Sequence, residues 1–201
     1  VMNFGSLTLN SAGSVVIAED SATVLSGTST ADSLDLDSTA SITDDGTADL
    51  TVTGNADLAG TSIALDDTFG FGSLTFNSAG SVVIAENSAT VLSGASTADG
   101  LDLDSTAGIT NAASASLTVT NNADLNGTSI ALGDQSNDVI NFGSLTLNSA
   151  GAVVIAENSA TVLSGTSTAD SLDLDSTLFI FNAASASLTV TNNADLDGRG
   201  I

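Results

Sequence analysis

The chain has 201 residues and carries 1 Lys or Arg against 24 Asp and Glu, for a formal net charge of −23 at pH 7. Hydrophobic residues still make up 42% of the chain, so this is not the composition of a disordered acidic tail. The sequence contains no imidazole, thiol, phenol or ammonium side chain. The usual nucleophile–base pairs and His/Cys metal sites therefore cannot form, and we expect no enzyme. The charge also argues against a nucleic-acid partner, because a polyanion would be repelled.

Three copies of one unit fill the chain. Residues 3–13 return at 70–80 and again at 141–151, with offsets of 67 and 71 residues, and the extra residues of the second period fall in 133–140. Insertions that collect at one point of a repeat mark a loop on one face of a repeat array. The sequence predicts repeat 1 at 1–69, repeat 2 at 70–140 and a truncated repeat 3 at 141–201. We expect one continuous array that is a segment of a longer protein.

Each repeat contains short apolar triplets separated by turn-forming residues. In residues 34–37, Leu alternates with Asp, as in a strand with one buried face. Short strands at this spacing fit either a parallel β-solenoid or tandem β-sandwiches. Aromatic residues are only 3% of the chain, which favours a solenoid with a stacked Leu, Val and Ile core. We predict an all-β parallel solenoid with about 22 residues per coil, about three coils per repeat and about nine in all. Its apolar runs are too short for the roughly 20 residues of a membrane-spanning helix.

Several segments of repeat 2 carry a family resemblance: 71–75 (FGSLT), 80–86 (GSVVIAE), 117–120 (LTVT) and 129–132 (SIAL). Together with the closing run 137–143 (NDVINFG), they resemble the large β-strand-repeat proteins of bacterial cell surfaces, which are similar in style to filamentous haemagglutinin. The resemblance implies a right-handed parallel β-helix that is exported to the cell surface. It also implies service as a fibre, a sheath or an adhesin shaft, and it carries no catalytic residue.

Acidic residues recur at the same positions of each repeat and are the candidate ligands of a cation. Carboxylates two residues apart on a strand point the same way, and Ca²⁺ takes six to eight oxygen ligands. The alternative is a solvated acidic face that maintains solubility and resists pairing at strand edges. The candidate calcium ligands are Asp35, Asp37, Asp102, Asp104, Asp173 and Asp175. The glutamates at the corresponding positions of the three copies, Glu19, Glu86 and Glu157, belong to the same set of repeated acids.

The repeat pattern leaves three functions open. The first is a structural shaft, fibre or sheath whose coils stack and whose open ends allow end-to-end or lateral self-association. The second is a calcium-dependent adhesin module that binds glycans or surfaces. The third, ice binding, rests on the Thr-x-Thr motifs at 51–53, 118–120 and 189–191, which occur only once per repeat.

Phenylalanine marks two further places. Phe4, Phe71 and Phe142 occupy one repeat position, and we expect them to fill a corner of the solenoid. Phe179 and Phe181 flank Ile180 in repeat 3 alone. If Ile180 faces inward, both rings are exposed and mark a lateral contact, whereas a register shift would bury them.

Overall fold

The structure, a computed structural model, describes residues 2–201 and folds them into 22 β-strands without a helix. Val1, the first residue of predicted repeat 1, lies outside the described residues. No helix in residues 2–201 has the length and apolar character needed to cross a membrane. The strands are β1 (Ser14–Glu19), β2 (Thr23–Leu25), β3 (Thr28–Ala31), β4 (Ser33–Ser38), β5 (Ser41–Asp44), β6 (Asp49–Gly60), β7 (Ser62–Ser78), β8 (Val82–Glu86), β9 (Thr90–Leu92), β10 (Ala95–Ala98), β11 (Leu101–Ser105), β12 (Gly108–Asn111), β13 (Ser116–Gly127), β14 (Ser129–Leu132), β15 (Val139–Ser149), β16 (Ala152–Glu157), β17 (Thr161–Leu163), β18 (Thr166–Ala169), β19 (Ser171–Ser176), β20 (Ile180–Asn182), β21 (Ser187–Val190) and β22 (Ala194–Asp197).

Every strand pairs in parallel with a strand one coil away. Val15 pairs with Leu34, Leu34 with Ala56, Ala56 with Leu74, and Leu74 with Leu92. The same ladder of stacked residues continues through Asn111, Leu132, Ile155, Leu174 and Leu196. Successive partners are 18 to 23 residues apart, so the chain makes about nine turns. At about 4.8 Å per coil these turns form a rod of roughly 43 Å. The predicted all-β parallel solenoid is confirmed, with a mean coil nearer 20 residues than 22.

The alternation of side chains along each strand builds one apolar core inside the coils. In β4, Leu34 and Leu36 are buried, whereas Asp35 and Asp37 are exposed, as their period-two pattern predicts. Leu, Ile and Val from successive coils stack on one another, and each contributes about 1.5–3 kcal/mol when fully buried. Phe71 and Phe142 lie inside this core, as do Phe69 and Phe76, while Phe4 is half-buried against it.

The sequence repeat and the structural coil have different periods. A second ladder runs through Leu7, Leu25, Asp44, Leu65, Ile84, Leu103, Leu125 and Leu147. Two repeats therefore correspond to about seven coils, or about three and a half coils for each repeat. Because of this half coil, the Leu-Asp strands β4 and β19 lie on the first ladder, whereas β11 of repeat 2 lies on the second.

Glycine sits where one coil turns directly over the backbone of the coil before it. The pairing of β6 with β7 shifts register between Val52 and Asn55. At this corner, a Cβ atom added to Gly72 would lie 2.1 Å from the carbonyl oxygen of Thr53. Gly143 approaches Thr120 in the same way in the next repeat, at 2.0 Å. These distances are far below van der Waals contact, so only glycine fits without a shift of the coil.

We expect Gly72→Ala to lower the free energy of unfolding by about 2 kcal/mol or more, because the new methyl group must displace backbone. Urea unfolding followed by circular dichroism measures the loss. Gly100→Ala is the matched control, since its added Cβ would meet only the Asn122 carbonyl oxygen at 3.8 Å, an ordinary contact. Equal stabilities of the two variants would contradict this close approach.

Candidate functional site

The repeated aspartates form acidic stripes on the outer surface that span two successive coils. In repeat 1, Asp35 of β4 lies in register with Asp57 of β6, about 4.8 Å along the axis, beside Asp37. The members of the three acidic stripes are Asp35, Asp37 and Asp57; Asp102, Asp104 and Asp124; and Asp173, Asp175, Asp195 and Asp197. The predicted calcium ligands are all exposed on these stripes. The third acid, on the next coil, was missed, because the local sequence does not reveal coil register.

Like charges within a stripe raise the pKa of its more buried carboxyl groups. Burial and the charges of Asp35 and Asp37 raise the pKa of Asp57 above its ordinary value. In repeat 2, burial together with Asp102 and Asp104 raises the pKa of Asp124. The stripes therefore oppose folding electrostatically at neutral pH, to an extent limited by solvent screening.

Neutral residues close each acidic stripe at both ends. In repeat 1, Val16 stacks below Asp35 and Thr75 stacks above Asp57. Repeat 2 has the same arrangement, with Val83 below and Thr146 above its acids. Carboxylates are thus in direct register over two coils only, which limits the repulsion that parallel stacking of a repeated acidic strand would otherwise accumulate.

The three repeated glutamates are buried, which corrects their placement among the surface acids. Glu19, Glu86 and Glu157 are only 1–2% exposed. The Glu86 carboxylate accepts hydrogen bonds from the Phe71 backbone N–H at 2.9 Å, from the Ser88 hydroxyl at 2.8 Å and from the Thr90 hydroxyl at 2.6 Å. Repeats 1 and 3 make the same three hydrogen bonds from the corresponding residues.

These bonds make each glutamate an internal anchor between successive coils. Burial by itself raises the pKa of Glu19, but the hydrogen bonds from Phe4, Thr23 and Ser21 outweigh it, so the pKa lies below its ordinary value. Two sequence signals mark such an anchor: the Glu-x-Ser-Ala-Thr run in all three copies, and the inward parity of Glu19 after Val15 and Ile17.

A different group of three carboxylates meets at a corner of repeat 1. Ligand oxygens of Asp44, Asp66 and Asp67 all lie within 4.8 Å of one another. Asp44 accepts a hydrogen bond from the Asp66 backbone N–H at 2.9 Å, and Asp67 accepts one from Ala48 at 2.9 Å. Three carboxylates suit a hard cation such as Ca²⁺ but provide only part of its six to eight oxygen ligands. The six predicted ligands lie outside this acidic triad, whose members are distant in sequence.

Repeat 2 replaces the acidic triad with a mixed polar corner. Asn111 stands where repeat 1 has Asp44, and its side-chain nitrogen donates to the Asp138 carboxylate at 2.7 Å. The Asn111 side-chain oxygen accepts from the Gly133 backbone N–H at 2.8 Å. The corner residues therefore differ between repeats, whereas the glutamate anchors do not.

The remaining sequence-predicted features also have defined places. Ile180 is buried, whereas Phe179 and Phe181 are 45% and 52% exposed with ring centroids 5.7 Å apart, so the register that would bury both rings is wrong. Thr51 of the first Thr-x-Thr motif stacks on Thr30 and then meets Gly70. This threonine row is two coils deep, which is not the extended array that binding to an ice surface would use.

Stacked parallel strands, a continuous core and tandem copies define the chain as a β-solenoid repeat protein. A family model described as repeats of unknown function, DUF5649, matches residues 12–75 and 79–148. The chain belongs to this family. No curated protein and no solved structure matches the chain.

Replacing the buried carboxylate should destabilise the fold. Glu86→Gln places an amide NH₂ where three donors point, so we expect a loss of about 1–3 kcal/mol in the free energy of unfolding. Urea unfolding measures it, with exposed Asp104→Asn as the matched control. A Glu86→Gln variant as stable as this control would contradict the anchoring role.

Removing one acid from a stripe should stabilise the protein at neutral pH. A pKa raised in the folded state means stability that is complete below the ordinary value of 3.8 and is lost as pH rises through the raised pKa. Relief of about 0.5 kcal/mol, after solvent screening, raises the Tm of Asp124→Asn at pH 7 by about 1–2 °C.

Thermal melts at pH 7 and below pH 4 measure this difference, which should disappear at the lower pH because the wild-type carboxyl group is then protonated. Asp20→Asn, an exposed acid outside the stripes, is the control. A lower Tm for Asp124→Asn at pH 7 would overturn the electrostatic interpretation.

Proposed function

We propose that this chain is a structural segment of an extracellular fibre, sheath or adhesin shaft on a bacterial cell surface. The observation that carries the proposal is the unbroken in-register stacking of about nine coils around one apolar core. A parallel solenoid of this kind is a stiff, quasi-one-dimensional element, because each coil is held by hydrogen bonds and packing to its neighbours alone.

The acidic surface supports a role outside the cell as part of a fibre. A net charge of −23 spread along a rod keeps neighbouring rods apart and soluble. The conserved anchors of the three repeats, by contrast, are internal and serve the stacking itself. The resemblance to bacterial β-strand-repeat surface proteins agrees with this division between a constant interior and a variable, charged exterior.

Localisation on intact cells of the producing organism tests the proposal. We expect antibodies raised against the folded chain to label the outer surface, and external protease to remove the label. An antibody against a cytoplasmic protein is the control for cell integrity. Detection of the chain only inside intact cells would overturn the proposal.

A calcium-dependent adhesin module that binds glycans is the second candidate. The acidic triad Asp44, Asp66 and Asp67 favours it, since this corner brings three carboxylates together. The acidic stripes add exposed carboxylates on neighbouring coils. Calcium at either place would neutralise like charges and couple folding to the high calcium level outside cells.

Thermal melts by circular dichroism in calcium and then in excess EDTA test this candidate. If calcium is a structural ligand, we expect the melting midpoint to fall by about ten degrees or more in EDTA. Asp67→Asn should abolish the difference if the acidic triad binds, and Asp35→Asn should do so if the stripe binds. An unchanged midpoint would leave a self-sufficient apolar stack and contradict the calcium candidate.

A further inference from the structure

We propose that the last coil of the chain binds the first coil of a second copy, end to end, in the register that the internal repeats already use. This inference rests on the proposed function, because it supplies the contact by which rod segments join. The two surfaces are the C-terminal face (Leu188, Val190, Asn193 and Leu196) and the N-terminal face (Phe4–Leu9). Each matches one half of an interface that the protein makes twice within itself.

The apolar residues at the two faces are incompletely covered. The only partly buried hydrophobic residues packed against the core of residues 2–201 are Phe4, Val15, Ile17, Leu188, Val190 and Leu196. Their counterparts inside the chain are buried because the next coil covers them: Val119 pairs with Phe142, and Leu125 with Leu147. The same register would place Phe4 of a second copy on Val190.

A polar network is likewise divided between the two faces. Inside the chain, the Asn55 side-chain oxygen accepts from Ser73 at 2.9 Å, from Thr75 at 3.4 Å and from Ser93 at 2.7 Å. Asn122 repeats this arrangement with the corresponding hydroxyl groups of repeat 3. The third asparagine of the series, Asn193, is exposed at the C-terminal face.

The hydroxyl groups that would complete this network stand at the other end. They are Ser6, Thr8 and Ser26, the counterparts of Ser73, Thr75 and Ser93. The hydroxyls of Thr8 and Ser26 already lie 3.4 Å apart, as their counterparts do at 3.2 Å. The N-terminal face therefore presents preorganised donors to a carboxamide oxygen like that of Asn193.

Gly5 is an independent sign of what fits this face. Its counterparts Gly72 and Gly143 must be glycine because a backbone carbonyl oxygen of the preceding coil lies about 2 Å from an added Cβ. Gly5 has no atom within 4 Å of that position. Nothing within the described chain requires glycine here, whereas the Thr191 carbonyl of a second copy would.

Charge favours this end-to-end contact over a lateral one. In the internal register, Thr146 stacks on Asp124 and Asn148 on Asn126. A second copy would correspondingly place Thr8 on Asp195 and Asn10 on Asp197, so no two carboxylates face each other. The contact joins two different faces, and such a heterologous contact that does not close produces an open filament.

Sedimentation velocity of the 201-residue chain at increasing concentration, in 0.15 M and 0.5 M salt, tests the proposal. We expect a concentration-dependent series of linear oligomers. Gly5→Ala should raise the concentration at half-assembly at least ten-fold while leaving the Tm of the dilute monomer unchanged. Gly100→Ala and Phe181→Ser should assemble like the wild type.

A mixing experiment shows whether the contact is head to tail. Gly5→Ala blocks only the N-terminal face, and Leu196→Asp blocks only the C-terminal face. Each variant alone should remain monomeric, and an equimolar mixture should form a heterodimer that does not grow further. A circular dichroism melt of each variant confirms folding.

A wild-type chain that stays monomeric, or a Gly5→Ala variant that assembles as the wild type does, would overturn the inference. Neither result bears on whether the rod lies on the cell surface, which the localisation experiment decides separately. Conversely, a chain found only inside cells that still forms linear oligomers would overturn the proposed function and leave the end-to-end contact standing.

Discussion

The in-register parallel stacking of coil on coil is the constraint on which the rest of this protein depends. Each residue lies about 4.8 Å from its counterpart on the next coil, so the chemistry of one strand is imposed on its neighbours. Leucine on leucine builds the core, as from Leu34 through Ala56 to Leu74. The same constraint demands glycine at Gly72, where a side chain would enter the preceding backbone.

Stacking also explains how a chain with so many carboxylates can form a rod. Directly stacked aspartates are limited to two coils, with Val16 and Thr75 closing the first stripe. The half coil by which each repeat advances moves the next stripe onto another ladder. Glu86 and its counterparts are treated differently, because three hydrogen bonds satisfy each carboxylate inside the protein. Charge is thereby dispersed outside and hydrogen-bonded within.

A rod with two unlike ends and a repulsive flank suits a function of extension. The flank carries like charges that keep rods apart, whereas the ends carry apolar residues and an incomplete Asn–Ser–Thr network. Interactions that stabilise the interior of the rod are thus the same interactions that would lengthen it. Cation binding at the acidic triad would add a separate level of control, local to one corner of repeat 1.

The sequence by itself determined the period, the all-β parallel stack and the parity that buries Leu34 and exposes Asp35, because repeat spacing and alternation are local patterns. It also indicated that Phe179 and Phe181 share a side opposite Ile180. Only the tertiary structure decided which residues meet across coils: Asp35 with Asp57, Asp44 with Asp66 and Asp67, and Glu86 with the Phe71 backbone. The physical reason is that corners vary, so partners lie 18 to 23 residues apart, and a single added residue changes every contact of the next coil.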